Sequence, residues 1–283
     1  MKASQIYFLL ILSNFCLSDD FHPEQQRMLA VIYSQTAAEH HVAIKQTYNI
    51  AGDLIKKALS DTSWNAFTEH NTRINELPPA IVIDVDETIL DNSPYEARLI
   101  LNSTSYPEGW DDWCFEASAQ ALPGAIEFLK KVKNNGIEIF YVTNRRHKFE
   151  SSTRENFKKL GIPISDEKDT LLMRDENGWG DDKYPRKQMI AQNYRIIFQL
   201  GDNLGDFVSL KENKIGPNER KKIADLYQDY WGKKWFMIEN PQYGDWESSI
   251  YDHDYSRSAK ELKAIRQKVC LLYTSPSPRD VRS

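Results

Sequence analysis

Ala80-Ile81-Val82-Ile83-Asp84-Val85-Asp86-Glu87-Thr88 is the stretch on which the fold turns. Four consecutive apolar residues, three of them β-branched, stop abruptly at an acid. An apolar run that short, without polar alternation, is the pattern of a parallel strand buried on both faces. Pro78 and Pro79 punctuate its start. Working outward, similar runs at residues 137–142, 170–173, 194–200 and 234–238 predict four further strands. Between them, residues 124–133, 149–160 and 186–193 carry helical periodicity, with Gly136, Gly161 and Pro163 as stop signals. Strands alternating with helices imply βαβ crossovers and a parallel sheet. Upstream, Met28, Val31, Ile32, Val42, Ile44, Ile50, Leu54 and Ile55 recur at three- and four-residue steps and predict helix over residues 24–60.

The composition is that of a globular protein. Of 283 residues, 41% are hydrophobic and 27% charged, unlike a disordered chain. A net charge of -5 and a pI near 5.8 argue against a nucleic-acid polymer as partner, because no basic excess is available to neutralise its backbone. A small phosphorylated molecule remains compatible, since a bound cation inverts the local field.

In an open parallel sheet, ligands bind at the carboxyl ends of the strands, and four polar features fall there in order. Asp84 and Asp86 follow the first strand. Two residues apart on extended chain, they face the same way, and adjacent carboxylates repel unless a cation or proton intervenes. A hard divalent ion such as Mg²⁺ suits all-oxygen ligands. Thr143 and Asn144 follow the second strand and can donate hydrogen bonds to phosphoryl oxygens. Lys183, in the loop before a helix, can neutralise phosphate charge. Gly201-Asp202-Asn203-Leu204-Gly205-Asp206 follows the fourth strand. There Asp202 can reach a metal beside Asp84, while Asp206 either ligates through water or orients Asn203 and Lys183. This set fits phosphoryl transfer, which needs positioning and charge stabilisation more than acid strength. Asp84 is the expected nucleophile, forming an aspartyl phosphate. Asp86 is the expected acid and base, with Mg²⁺, Lys183 and Thr143 holding the developing charge.

At these residues the chain resembles the haloacid-dehalogenase (HAD) superfamily, and within it the class C nonspecific acid phosphatases, the bacterial outer-membrane lipoprotein acid phosphatase and 5'-nucleotidase group. Residues 82–95 match one signature of that family and residues 197–207 another. Gln35-Thr36-Ala37-Ala38-Glu39 and Asn240-Pro241-Gln242-Tyr243-Gly244-Asp245-Trp246 extend the likeness over about residues 25–268. The resemblance implies an α/β fold: a HAD-like Rossmannoid parallel sheet flanked by helices, with a small α-helical accessory domain. The domain would span residues 24–268, with its core at about 78–238 and the helical part drawn from 24–76, 95–122 and 240–268. It further implies magnesium held by the Asp84 carboxylate, the Asp86 carbonyl and Asp202, with Asp206 and Asn203 behind them. The substrate would be a phosphomonoester such as a nucleoside 5'-monophosphate, its base against Trp110, Trp113 and Tyr243, with Tyr95 and Trp246 nearby. A homodimer is left open. Two rival roles stand beside hydrolysis: phosphotransfer to another acceptor, and a non-catalytic storage or binding role of the kind found in plant proteins that have lost the nucleophile.

The two ends carry separate expectations. Residues 1–18, with Lys2, an apolar run over 6–12 and small residues before a cut after Ser18, read as a signal peptide of an exported protein, periplasmic, cell-surface or secreted. Membrane attachment would follow only if Cys16 carried lipid, and the bulky Phe15 disfavours that. The segment from Cys270 onward resembles the translation of a sequencing-library adapter, so residues 270–283 are expected to be silent, as a Pro/Ser-rich tail would also be. That leaves Cys114, between Trp113 and Phe115, as a buried structural thiol with no disulfide partner.

Overall fold

The computed structural model of the chain describes residues 23–69, 74–209 and 215–272. The predicted signal peptide, Cys16 and residues 273–283 lie outside the described residues. In chain order the strands are β1 (Pro79–Ile83), β2 (Leu90–Asp91), β3 (Gln120–Ala121), β4 (Glu138–Arg146), β5 (Leu171–Arg174), β6 (Arg195–Gly201) and β7 (Trp235–Met237). The α-helices are α1 (Met28–Thr36), α2 (Ala38–Ser60), α3 (Ser93–Asn102), α4 (Trp110–Glu116), α5 (Ala125–Asn134), α6 (Glu150–Leu160), α7 (Tyr184–Asn193), α8 (Pro217–Leu226), α9 (Asp245–Ser248) and α10 (Ala259–Leu272).

β1 sits at the centre of a five-stranded sheet of order β5-β4-β1-β6-β7, and every pairing in it is parallel. The alternation of Cβ directions along β1 sends Ile81 and Ile83 into one core and Ala80 and Val82 into the other. That explains why a fully apolar run was needed: neither face meets water. The first core continues into Ile44, Tyr48 and Ile55 of α2 and Phe128, Leu129 and Val132 of α5. The second gathers around Trp235, whose ring packs among Phe207, Tyr227, Tyr230 and Trp231 and whose Nε1–H donates to the Ala66 carbonyl at 2.8 Å.

Each predicted strand is present, with shifted edges. β4 runs to Arg146, four residues past the expected end, although its regular pairing with β5 breaks between Val142 and Arg146. The extra residues leave the sheet edge still extended, which carries Thr143, Asn144 and Arg145 toward the site. The predicted helix over 24–60 is a 3₁₀ turn followed by two α-helices, parted at Ala37, whose backbone is extended (φ -78°, ψ 124°). No Gly or Pro marks the break. The Thr36 hydroxyl donates to the Ile32 carbonyl at 2.7 Å, a local bond of the kind that competes with helix continuation. The two halves also serve different partners, α1 packing on α3 and α2 on α5 and the sheet. The short β2–β3 pair, antiparallel, was not anticipated. It ties the chain after the first acidic turn to the entry of α5. At the other end, Cys270 and the two residues after it continue α10.

Trp235 is fully buried and joins four aromatic neighbours to one backbone hydrogen bond. Trp235→Ala should therefore lower unfolding free energy by about 3–5 kcal/mol, read as a fall in melting temperature by far-UV circular dichroism. A loss below about 1 kcal/mol would mean the second core closes without the indole.

Candidate active site

The site is assembled from strand ends. Asp84 leaves β1 with its amide bonded to the Leu200 carbonyl of β6 at 3.0 Å, and the residue is only 6% exposed. The chain then turns at Glu87, which has a left-handed backbone (φ 53°). That conformation is unusual for a side chain with a Cβ, and it is held by bonds to Glu87 itself. Its carboxylate accepts from the Asn92 amide at 2.8 Å, from Asn92 Nδ2 at 3.0 Å and from the Tyr243 hydroxyl.

Lys183 precedes α7 and inserts its ammonium between two acids, donating to Asp84 Oδ1 and to Asp206 Oδ1, the latter at 2.6 Å. All three groups are buried. Asp206 is fixed in turn by the Asn203 amide, 2.8 Å from Oδ2, within a reciprocal cap in which Asn203 Oδ1 accepts from the Gly205 amide at 3.2 Å. Asp202 follows β6 and accepts from Asn240 Nδ2 at 2.8 Å. Asp86 points to a different partner. Arg145 forks onto it, with Nε at 2.9 Å and Nη2 at 2.7 Å from Oδ1 and Nε at 3.1 Å from Oδ2, and Asn92 Nδ2 adds a bond to Oδ1 at 2.8 Å.

The electrostatics follow from burial. Burial pushes the Asp84 carboxyl up to about 7, opposed by Lys183 and reinforced by Asp206 and Asp86. Burial likewise carries Asp202 well above the carboxylate range, with Asp206 and Asp84 adding to it. For Lys183, burial works against the charge but Asp206 and Asp84 outweigh it, so its pKa rises. One ammonium thus does not neutralise the cluster. Asp84, Asp202 and Asp206 offer carboxylate oxygens within 4.8 Å of one another. An all-oxygen set with unbalanced buried negative charge fits a hard divalent cation.

The chain matches, over residues 11–246, the sequence profile of the HAD superfamily, subfamily IIIB (acid phosphatase). It belongs to that family. The structure of the class C acid phosphatase from Bacillus anthracis superposes with a TM-score of 0.78 at 32% identity, covering 88% of this chain and 98% of that one. Acid phosphatase 1 of Solanum lycopersicum is 29% identical over 134 residues, which is 45% of this chain and 51% of that protein. Vegetative storage protein 1 of Arabidopsis thaliana is 26% identical over 133 residues, 45% of this chain and 48% of that protein. The chain therefore spans about half the length of these two curated relatives. The likeness to the solved class C structure bears out the expected α/β fold with its helix-flanked parallel sheet. HAD phosphatases as a class use a divalent metal, in keeping with the carboxylate cluster.

The expected residues of this subfamily IIIB protein divide into those that converge and those that do not. Asp84, Lys183, Asp206 and Asn203 form one hydrogen-bonded group, and Asp202 brings a carboxylate oxygen within 4.8 Å of those of Asp84 and Asp206. Thr143 is buried in β4, the neighbour of β1, its hydroxyl accepting from the Arg145 amide at 3.0 Å. Asn144 is exposed and braces the lysine loop instead, donating to the Asp181 carbonyl at 2.9 Å and accepting from Arg186 at 2.7 Å. Among the aromatics, Trp113 is 4% exposed, bonds Asn92 Oδ1 at 2.7 Å through Nε1 and lies under Arg98, so it braces Asn92. Tyr95 is buried with its hydroxyl on the Glu108 carbonyl, and Tyr243 spends its hydroxyl on Glu87. Trp110 is half-buried, edge-on to Tyr95 and under the Arg145 guanidinium. Trp246 is exposed, and its Nε1–H donates to the Tyr243 carbonyl at 3.1 Å.

Five participants were not anticipated: Arg145, Arg186, Lys187, Asn92 and Asn240. Arg186 is fully buried and bonds the Thr143 carbonyl at 2.5 Å, and burial lowers its pKa to about 10. Lys187, one helical turn beyond Lys183, is fully buried and donates to the Asp206 carbonyl at 2.7 Å, and burial brings it down to about 7. The signals existed. Arg145 shares the inward side of an extended strand with Thr143, and Lys187 is i+4 from Lys183.

Gly201 is where the packing leaves no slack. A Cβ there would lie 2.3 Å from Asp206 Oδ2 and 2.4 Å from Asp206 Cβ. Gly201→Ala should displace Asp206 and release Lys183. The expected result is a destabilisation of about 1–3 kcal/mol together with a larger fall in kcat than in KM for an aryl phosphate. Wild-type kcat in a folded Gly201→Ala protein would show that Asp206 does not position the lysine.

Proposed function

We propose that the chain is an exported, Mg²⁺-dependent acid phosphatase that hydrolyses phosphomonoesters through a phosphorylated Asp84. The observation that carries this reading is the buried Asp84 carboxylate at the end of β1, paired with Lys183 and within ligand distance of Asp202 and Asp206. A carboxylate there is shielded from water and pre-aimed at the edge where a ligand enters. Asp84 attacks phosphorus, the ester P–O bond breaks, and Asp86 gives its proton to the departing alcohol oxygen. In the second half, Asp86 takes a proton from water as the water oxygen bonds phosphorus and the P–O bond to Asp84 breaks. The hydrogen bonds at Asp86 are uneven. Oδ1 accepts three N–H groups and Oδ2 one longer contact, so Oδ2 is the oxygen with capacity for the proton. Lys183 balances charge on Asp84 and on the entering phosphoryl group. Mg²⁺ on the carboxylate cluster would supply Lewis acidity toward the phosphoryl oxygens.

A nucleoside 5'-monophosphate is the proposed substrate. Support comes from the aromatic cluster of Tyr95, Tyr106 and Trp110 that continues into Arg145 and so to Asp86, where a flat leaving group would lie. Residues 1–18 support export, and no helix among the described residues is long and apolar enough to cross a membrane.

Asp84→Asn should keep the fold and lower phosphomonoesterase turnover by on the order of 10³-fold or more, measured with p-nitrophenyl phosphate; residual activity within tenfold of wild type would remove Asp84 as nucleophile. Excess chelator should silence the enzyme and added Mg²⁺ restore it, whereas activity that persists in chelator would refute the metal requirement. A panel of mononucleotides, sugar phosphates and aryl phosphates tests the substrate. Equal kcat/KM across the three classes would rule out a preference for nucleotides.

A further inference from the structure

Asn92 immediately precedes α3, is fully buried, and has a partner on each of its polar groups. Its backbone amide donates to Glu87 Oε1 at 2.8 Å, and its carbonyl accepts from the Tyr95 and Glu96 amides at 2.9 and 3.1 Å. In the side chain, Nδ2 donates to Asp86 Oδ1 at 2.8 Å and to Glu87 Oε2 at 3.0 Å. Oδ1 accepts from Trp113 Nε1 at 2.7 Å and from Arg145 Nη2 at 3.4 Å. Only one orientation of the amide satisfies this set. An indole and a guanidinium can only donate and so require the oxygen, while ionised carboxylates only accept and require the nitrogen. Turning the amide over would set N–H against N–H in a buried network, where mismatches are costly. Trp113 is itself locked: it is 4% exposed, and the Arg98 guanidinium lies 5.0 Å from its ring centre. Arg98 in turn donates to Glu116, the last residue of α4, at 2.8 Å.

The orientation decides where Asp86 can carry a proton. Asn92 Nδ2 presents an N–H to Asp86 Oδ1, on which Arg145 Nε and Nη2 also converge, so three contacts hold that oxygen as an acceptor. A reversed amide would offer its carbonyl oxygen to Oδ1 and draw the proton there. Oδ2 receives only the 3.1 Å contact from Arg145 Nε. We propose that Asn92, oriented by Trp113, is a positioning residue that reserves Oδ2 of Asp86 for protonating the leaving group. In the step it serves, Asp84 bonds phosphorus and the ester P–O bond breaks with its electron pair on the departing oxygen. That oxygen then takes the Oδ2 proton. The other tryptophan of α4 acts alongside, since the Trp110 ring centre lies 5.5 Å from the Arg145 guanidinium carbon. Residues three apart share a helix face, so one face of α4 backs both of the side chains that donate to Asp86. The inference rests on the reading of Asp84 as nucleophile and Asp86 as acid.

The test compares two esters of the full chain's reaction that differ in their need for an acid. A p-nitrophenolate departs readily without a proton, whereas the alkoxide released from benzyl phosphate, of similar size, does not. The ratio of kcat/KM for the two is measured on the wild type, Asn92→Ala, Trp113→Phe, Asp86→Asn and the combination of Asp86→Asn with Asn92→Ala. Asn92→Ala should lower kcat/KM for benzyl phosphate at least about tenfold more than for p-nitrophenyl phosphate, part of what a general acid contributes. Trp113→Phe keeps a ring in the core and removes the N–H, and should move the ratio the same way by at least about threefold, as loss of one hydrogen bond does. Asp86→Asn should give the limiting ratio, and adding Asn92→Ala to it should move the ratio no further. A merely structural asparagine would lower both esters alike in Asn92→Ala, and that result would overturn the proposal, as would a further shift in the combined variant. An unmoved ratio in Trp113→Phe would overturn the orienting role of the indole, and it decides the outcome if Asn92→Ala does not fold. Asp84→Asn keeps the two failures apart. Survival of both activities in it would sink the nucleophile reading, whereas a silent Asp84→Asn beside equal losses in Asn92→Ala removes only the role of Asn92.

Discussion

A single ammonium group, buried between two carboxylates, is the contact on which the rest of the centre depends. Lys183 bridges Asp84 of one strand end and Asp206 of another. Removing these charges from water is costly, and the cost is offset only where geometry and partners are good. The surroundings are organised to keep that geometry. Lys187 fixes the Asp206 carbonyl from behind, the Asn203 amide fixes its carboxylate, and Gly201 supplies the space into which Asp206 leans. Arg186 and Asn144 pin the loop that delivers Lys183. The negative charge left over at Asp84 and Asp202 is the physical reason the site calls for a cation.

Asp86 stands apart from this arrangement although it is two residues from Asp84. Its partner is the buried Arg145, not Lys183, so the two acids of one short turn are held by different cations on different elements. A carboxylate that must attack and one that must shuttle a proton need different surroundings, and the fold supplies them by bringing Lys183 to one and Arg145 of β4 to the other.

Much of this was legible in the sequence. The apolar runs located five parallel strands because a strand buried on two faces admits no polar residue, and the acids directly after those runs had to emerge at one sheet edge. What stayed hidden had a shared character. Arg145, Arg186 and Lys187 are cations whose burial cannot be read from residue type, since arginine and lysine are ordinarily solvated. The break at Ala37 depended on one hydroxyl-to-carbonyl bond and on competing packing partners, neither of which alters hydrophobic periodicity. Trp110 and Trp113 are indistinguishable as letters, yet one lies under Arg145 and the other is sealed beneath Arg98.

The loop after β7 has a consequence for the chain as it is made. Asn240 reaches back to Asp202, and Tyr243 to Glu87, across 156 positions of sequence. A nascent polypeptide that has already threaded all five strands still lacks the groups that steady two of the site's acids. The centre is therefore completed only after β7 has been made, so that a chain halted before this loop holds the acids but not the contacts that aim them.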